Sequence, residues 1–251
     1  VPAAPLSDQL AELGELLGQM CTTVAGALQR ATYALLEGRE RVAQQVVAGD
    51  LQVDALRARV EDVAIDALLF HAPVAGDLRQ VVSAIRTAGD VERMGDLALH
   101  VAQVAERGRP LPVQVREDVA EMGRVAVALA LKAAEVVRTR NVVLAVELDD
   151  DDDAMDALHL HMFGVLTDPD WPCGVPLAVD ITLLARYYER FADHAVAVAR
   201  ETVYAVTGLE QEALAAVVAA PGLPALLERD GGDDERGDRV GPRPAEQAVE
   251  Q

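Results

Sequence analysis

The chain has 251 residues, room for one large domain or two small ones, with 51% hydrophobic residues, only 3% aromatic residues and a net charge of −20. That charge excludes nucleic acid as the main partner, because phosphate binding needs a basic footprint; it suits metal cations or a partner with a basic surface. Two cysteines make no disulfide framework, and with neither a basic leader nor a long apolar run the expectation is a cytoplasmic protein without signal peptide or membrane span.

Ala, Val and Leu dominate, which favours helices packed through small side chains. Through Thr207 the chain reads as helix after helix, with no convincing strand alternation. Ser7 or Asp8 caps helix one, which is read as far as Ala48. Gly49-Asp50 then breaks the chain, and Asp50 caps helix two, which continues to Phe70. The stretch "HAPVAGD" turns the chain, and Asp77 caps helix three, which ends near "RGRPLP". Helix four covers Val115 to Arg140. Helix five is expected to begin within "ELDDDDDAMD", whose carboxylates suit the positive end of a helix dipole, and to stop before "TDPDWPCG". Helix six runs from Val175 to Thr207, and Gly208 stops it. The tail from Pro221 onward is rich in Gly, Pro and charge and reads as disordered. Cys21 and Cys173 read as small buried hydrophobes.

The two halves repeat. At one constant offset "QMCTTVAGALQRA" lies over "EMGRVAVALALKA", and "DLQVDAL" lies over "DDAMDAL", so that Asp50 matches Asp152 and Asp54 matches Asp156. At a slightly shorter offset "ERMGD" lies over "ERFAD", matching Glu92 with Glu189 and Asp96 with Asp193. The fold expected is all-α: six helices in two tandem three-helix units, residues 1–109 and 110–210, followed by an acidic tail over 211–251.

Each half therefore carries two acid pairs spaced four residues apart: Asp50/Asp54 with Glu92/Asp96, and Asp152/Asp156 with Glu189/Asp193. Residues four apart project on one side of a helix. At about 100° per residue, Val81, Ile85, Leu78, Ala88 and Leu99 all fall within about 40° of Glu92, placing Glu92 and Asp96 inside an apolar stripe. On helix six, Val175, Ala178, Ala185 and Val196 share the face of Glu189. Counting outward from each short turn brings the two pairs of a half to the same level, so four carboxylates should meet across one helix pair. Anions gathered at a partly buried seam are costly unless neutralised. A hard or borderline cation removes the difficulty, and oxygen ligands suit Mg, Mn, Fe or Ca. The competing reading is a solvated acidic face. His159, in "DALH", and His100, four after Asp96, stand at ligand spacing; His194 is expected to bond locally. No Ser-His-Asp or Cys-His arrangement and no Walker-type phosphate loop can be assigned.

The segments "APVAGDLRQVVSAIRTAGDVERMGDLALHVA" and "LLARYYERFADHAVAVARETVYAVTG" resemble the two half-signatures of the PhoU family of phosphate-transport accessory and regulatory proteins, in its actinobacterial branch. The resemblance covers residues 7–208. It implies two pseudo-symmetric three-helix bundles, with iron or zinc in some members on acidic motifs. Here those motifs fall on Asp50, Asp54, Glu92, Asp96, Asp152, Asp156, Glu189 and Asp193. It also implies a non-enzymatic role as negative regulator: coupling the Pst phosphate ABC transporter, through its ATPase subunit, to a sensor histidine kinase, with membrane association only through those partners. One departure is Ala192, where the family often has Gly. A homodimer is compatible with all of this. Two other readings stay open at this point, a carboxylate-bridged di-iron oxidase of ferritin-like type and a metal-free helical scaffold.

Overall fold

The computed structural model describes residues 4–49 and 51–210; the expectations for Asp50 and for the tail over 211–251 lie outside the described residues. Among the described residues every regular element is a helix: α1 (Leu6–Glu37), α2 (Glu40–Gly49), α3 (Leu51–His71), α4 (Ala75–Glu106), α5 (Val113–Thr139), α6 (Val142–Thr167) and α7 (Gly174–Thr207). Segments α2 and α3 flank Asp50 and together answer to α6 in the repeat, so each half has three helical limbs.

Two boundaries differ from the sequence reading. Helix one ends at Glu37, not near Ala48, because Gly38 adopts the left-handed conformation at φ 60° and donates its N–H to Ala34 O. Only glycine enters that region without a Cβ penalty. Its repeat mate Arg140 stops α5 in the same left-handed conformation, at φ 54°, with its N–H on Val136 O. There the guanidinium Nη2 reaches Leu10 O at 3.2 Å, tying the turn to α1. Helix α6 then starts at Val142, well before the acidic run, with Asn141 Oδ1 accepting from the Leu144 N–H at 3.1 Å. The acids at 149–153 therefore lie inside the helix rather than at its positive end. Asp77 sits in the first turn of α4 while Val74 occupies the cap position.

Helices α1, α4, α5 and α7 form a square: α1 packs on α4 and α5, and α7 packs on the same two. The limb α2–α3 lies outside against α1 and α4, and α6 lies outside against α5 and α7. One continuous apolar core runs through both halves. It is made largely of Ala, Val and Leu, with all five methionines buried. Each large apolar side chain so buried contributes about 1.5–3 kcal/mol. The largest buried groups, Tyr188 and Phe191, sit on α7. Tyr188 shares a hydrogen bond of 2.8 Å with Thr32 of α1, the helix across the diagonal of the square. Gly123 on α5 admits Thr32 at close quarters: a Cβ there would lie 2.6 Å from Thr32 Cγ2.

Candidate metal centre

The acids of the second half come from α6, with Asp152 and Asp156 one turn apart, and from α7, with Glu189 and Asp193 one turn apart. The two helices pack directly on each other. Their neighbours explain which carboxylates are neutralised. Within the acidic run of α6, Asp149 accepts from Arg200 at 2.5 Å and Asp151 from Lys132 at 2.7 Å. Lys132 also reaches Glu147 at 3.3 Å. Asp152, next in sequence after Asp151, has a buried Oδ1 with no hydrogen-bond partner.

Burial pushes the Asp152 carboxyl up to about 6, and the charges of Asp156, Asp193, Asp149 and Glu189 add to the shift. Glu189 is only 9% exposed, and its Oε2 likewise has no partner. Burial, and then the neighbouring Asp193, raise its pKa; Arg186 and His159 oppose the shift, and Asp156 adds to it. The four predicted acids thus share one field at the α6–α7 seam, with Asp152 and Glu189 on its inner side and Asp156 and Asp193 exposed. His159 Nδ1 stands 4.0 Å from Glu189 Oε1. Arg186, one turn before Glu189 on α7, contacts Oε1 only.

Orphaned anionic oxygens below the surface are what a cation corrects. Carboxylate oxygens beside an imidazole nitrogen make a donor set that fits Mn, Fe or Zn. The donors share the seam without closing around one point: among the described residues no three His, Cys, Asp or Glu side chains stand ready-made to hold a metal ion.

The first half is built differently. Asp54 is exposed. Glu92 is paired across the α3–α4 seam by the Arg57 guanidinium. The same guanidinium bonds Glu61 through Nε at 3.0 Å. Asp96 is paired with Arg93 at 3.2 Å. Among the described residues of this group no buried oxygen lacks a partner. The apolar stripe around Glu92 is also narrower than its periodicity implies. Val81 and Ala88 are buried, but Ile85 and Leu78 are 38% and 40% exposed, so Glu92 lies where the buried face meets solvent. In the second half Ala185 and Val196 are buried while Val175 is exposed.

The other histidines find separate partners. His100 stacks on Tyr187 with ring centroids 5.0 Å apart. His194, expected to bond locally, instead crosses between the halves to Asp90 Oδ1 at 3.1 Å. The residue that spacing arguments passed over is Arg57. Its signal was present in the repeat, where "DALR" stands against "DALH".

A family model described as PhoU domain matches residues 17–105 and 119–202. The chain is 50% identical over 204 residues to the phosphate-specific transport system accessory protein PhoU homolog 2 of Mycobacterium tuberculosis, covering 80% of this chain and 96% of that protein. It is 49% identical over 204 residues to PhoU homolog 1 of Mycobacterium leprae, covering 80% of this chain and 92% of that one. The crystal structure of PhoU from Pseudomonas aeruginosa superposes with a TM-score of 0.72 at 23% identity, over 82% of this chain and 100% of the other. The phosphate transport system regulatory protein PhoU from Streptococcus pneumoniae gives 0.71 at 20% identity, over 82% and 99%. At those identities the two structures establish the fold.

Proposed function

The chain belongs to the PhoU family, and from that premise we propose that it is an accessory regulator of phosphate uptake. It binds the ATPase subunit of the Pst phosphate transporter and a sensor histidine kinase, and it holds the phosphate-starvation response in check while phosphate is plentiful. The observation that carries this reading is the 50% identity to a protein named as an accessory of phosphate-specific transport, running over 96% of that protein. Among the described residues no helix is long and apolar enough to cross a membrane, in keeping with access to the transporter through its soluble subunit. The work assigned to the chain is binding, as the relatives' description as accessory proteins supports.

Within the same reading, Asp152, Asp156, Glu189 and Asp193, with His159 beside them, hold a divalent cation such as Mn, Fe, Zn or Mg. When bound, the ion supplies positive charge to orphaned oxygens and links α6 to α7. Asp152 and Glu189 are the inner donors, and the exposed Asp156 and Asp193 complete the set from the solvent side.

Deleting the gene, together with any paralogue, tests the regulatory reading. Phosphate-responsive genes are expected to stay on in high phosphate and to be silenced again by the restored chain. Normal repression in the deletion strain would overturn it. Pull-down of the purified ATPase and kinase by the wild-type chain and by Asp-to-Ala variants of the α6–α7 cluster then asks whether the metal centre belongs to the docking face.

A further inference from the structure

The sequence repeat places Arg57 opposite His159 at the edge of two otherwise matching acid groups. Their chemistry differs in kind. A neutral imidazole nitrogen has a lone pair to give a metal, whereas a guanidinium has only donors and keeps its charge at every physiological pH. In the first half that fixed charge is already delivered. Arg57 reaches from α3 to Glu92 on α4 and is anchored on its own helix by Glu61. In the second half the corresponding position holds His159, 4.0 Å from Glu189. There the buried Oε2 of Glu189 and Oδ1 of Asp152 face the seam without partners.

We infer that the two acid groups are not equivalent: Arg57 is a built-in cation that closes the α3–α4 group to metal, and the α6–α7 group is the half that binds it. The inference rests on the metal reading above and narrows it to one side of the molecule. The arginine that touches the second group does not close it. Arg186 lies on the same helix as Glu189, is half exposed, and engages one oxygen only. Its guanidinium is half in solvent and leaves the buried Oε2 free, so a cation entering at that oxygen need not displace it. Arg57 instead spans the two helices whose carboxylates a metal would have to join, so an incoming cation meets a like charge already bound at Glu92.

The test uses the full chain, stripped with chelator and titrated with MnCl2. Free Mn2+ is read by electron paramagnetic resonance, and retained metal by elemental analysis after gel filtration. Glu189→Gln is expected to abolish retained Mn2+, as is His159→Arg, while Glu92→Gln leaves it at the wild-type level. Arg57→His is expected to open a second class of sites, bound more than about tenfold tighter than anything the wild-type α3–α4 group shows. That second class should disappear when Glu92→Gln is added. Helical circular dichroism and melting accompany every variant, and the Glu92→Gln and Glu189→Gln comparison decides the matter even if Arg57→His folds poorly. Equal loss of Mn2+ from both Gln variants, retention by Glu189→Gln, or no gain in a folded Arg57→His protein overturns the asymmetry while the metal reading stands. No retention by the wild-type chain overturns both.

Discussion

Substituting Gly123 by Ala is a sharp test of the packing at the centre of the square. The added Cβ would lie 2.6 Å from Thr32 Cγ2, 2.9 Å from its Oγ1 and 3.2 Å from its Cβ. Thr32 is buried and β-branched, so its χ1 has little freedom to yield inside α1. Overpacking of this kind costs about 1–3 kcal/mol. Displacing Oγ1 from the Tyr188 hydroxyl strands a buried polar group at about 1–3 kcal/mol more. Against this, exchanging Gly for Ala inside a helix gains about 1 kcal/mol. The net expectation is a loss of about 3 kcal/mol, or about 6–12 °C in Tm for a chain of this size. Urea unfolding followed by helical circular dichroism measures it. In a Thr32→Ala background the two nearest atoms are gone and only the Cβ contact at 3.2 Å remains, so Gly123→Ala should there be close to neutral. Gly18 supplies a comparison. Its added Cβ would meet Arg138 Nε at 2.6 Å and Cγ at 2.7 Å, but the long Arg138 side chain can turn outward where the short Thr32 cannot, so Gly18→Ala should cost less than Gly123→Ala. If Gly123→Ala stabilised both backgrounds equally, the close approach of α5 to Thr32 would be refuted.

Asp152 sets a pH dependence in the metal-free protein. Its carboxyl holds a proton up to about pH 6 in the fold, against an ordinary value of 3.8, so its contribution to stability is fully present below pH 3.8 and is lost as pH rises toward 6. Asp152→Asn should therefore melt with the wild type at acid pH and above it at neutral pH; parallel melting curves at all pH values would contradict this. Burial pushes the Cys21 thiol up to about 12, whereas Cys173 is only half-buried. Iodoacetamide should alkylate Cys173 first in the native protein and reach Cys21 only on unfolding, as mass spectrometry of the digest would show. Gly38→Ala forces a Cβ into the left-handed region at φ 60° and should cost about 1–2 kcal/mol in chemical denaturation. An unchanged midpoint would mean that the α1–α2 turn is free to rearrange.

The helical class was legible because small apolar residues recur at helical spacing through both halves and the halves repeat. The α1 boundary was not, because a lone Gly38 inside a periodic run reads as a tolerated interruption. Placing Gly38 over Arg140-Asn141, where a helix visibly stops and restarts, marks the break. The start of α6 was hidden by "NVVLAV", whose β-branched residues weaken the helix signal ahead of the acids. At the site, spacing put the carboxylates of α6 and α7 on one seam. It did not show that Glu92 sits beside exposed Ile85 and Leu78, because periodicity fixes the direction of a face but not how much of it a neighbouring helix covers. Nor did a count of acids weigh the cation among them. Arg57 changes the character of its half by a single substitution relative to the repeat.

Because α1 and α4 of one half lie against α5 and α7 of the other, neither half owns a complete interior. A protein cut between α4 and α5 would present an apolar wall along its length, and the natural cover for that wall is a piece of the same design. A single repeat of this architecture would have to pair with a copy of itself to cover that wall, at a strength set by its concentration. Carrying both repeats in one chain makes the pairing independent of dilution. It also lets the two copies differ, one with an arginine where the other has a histidine.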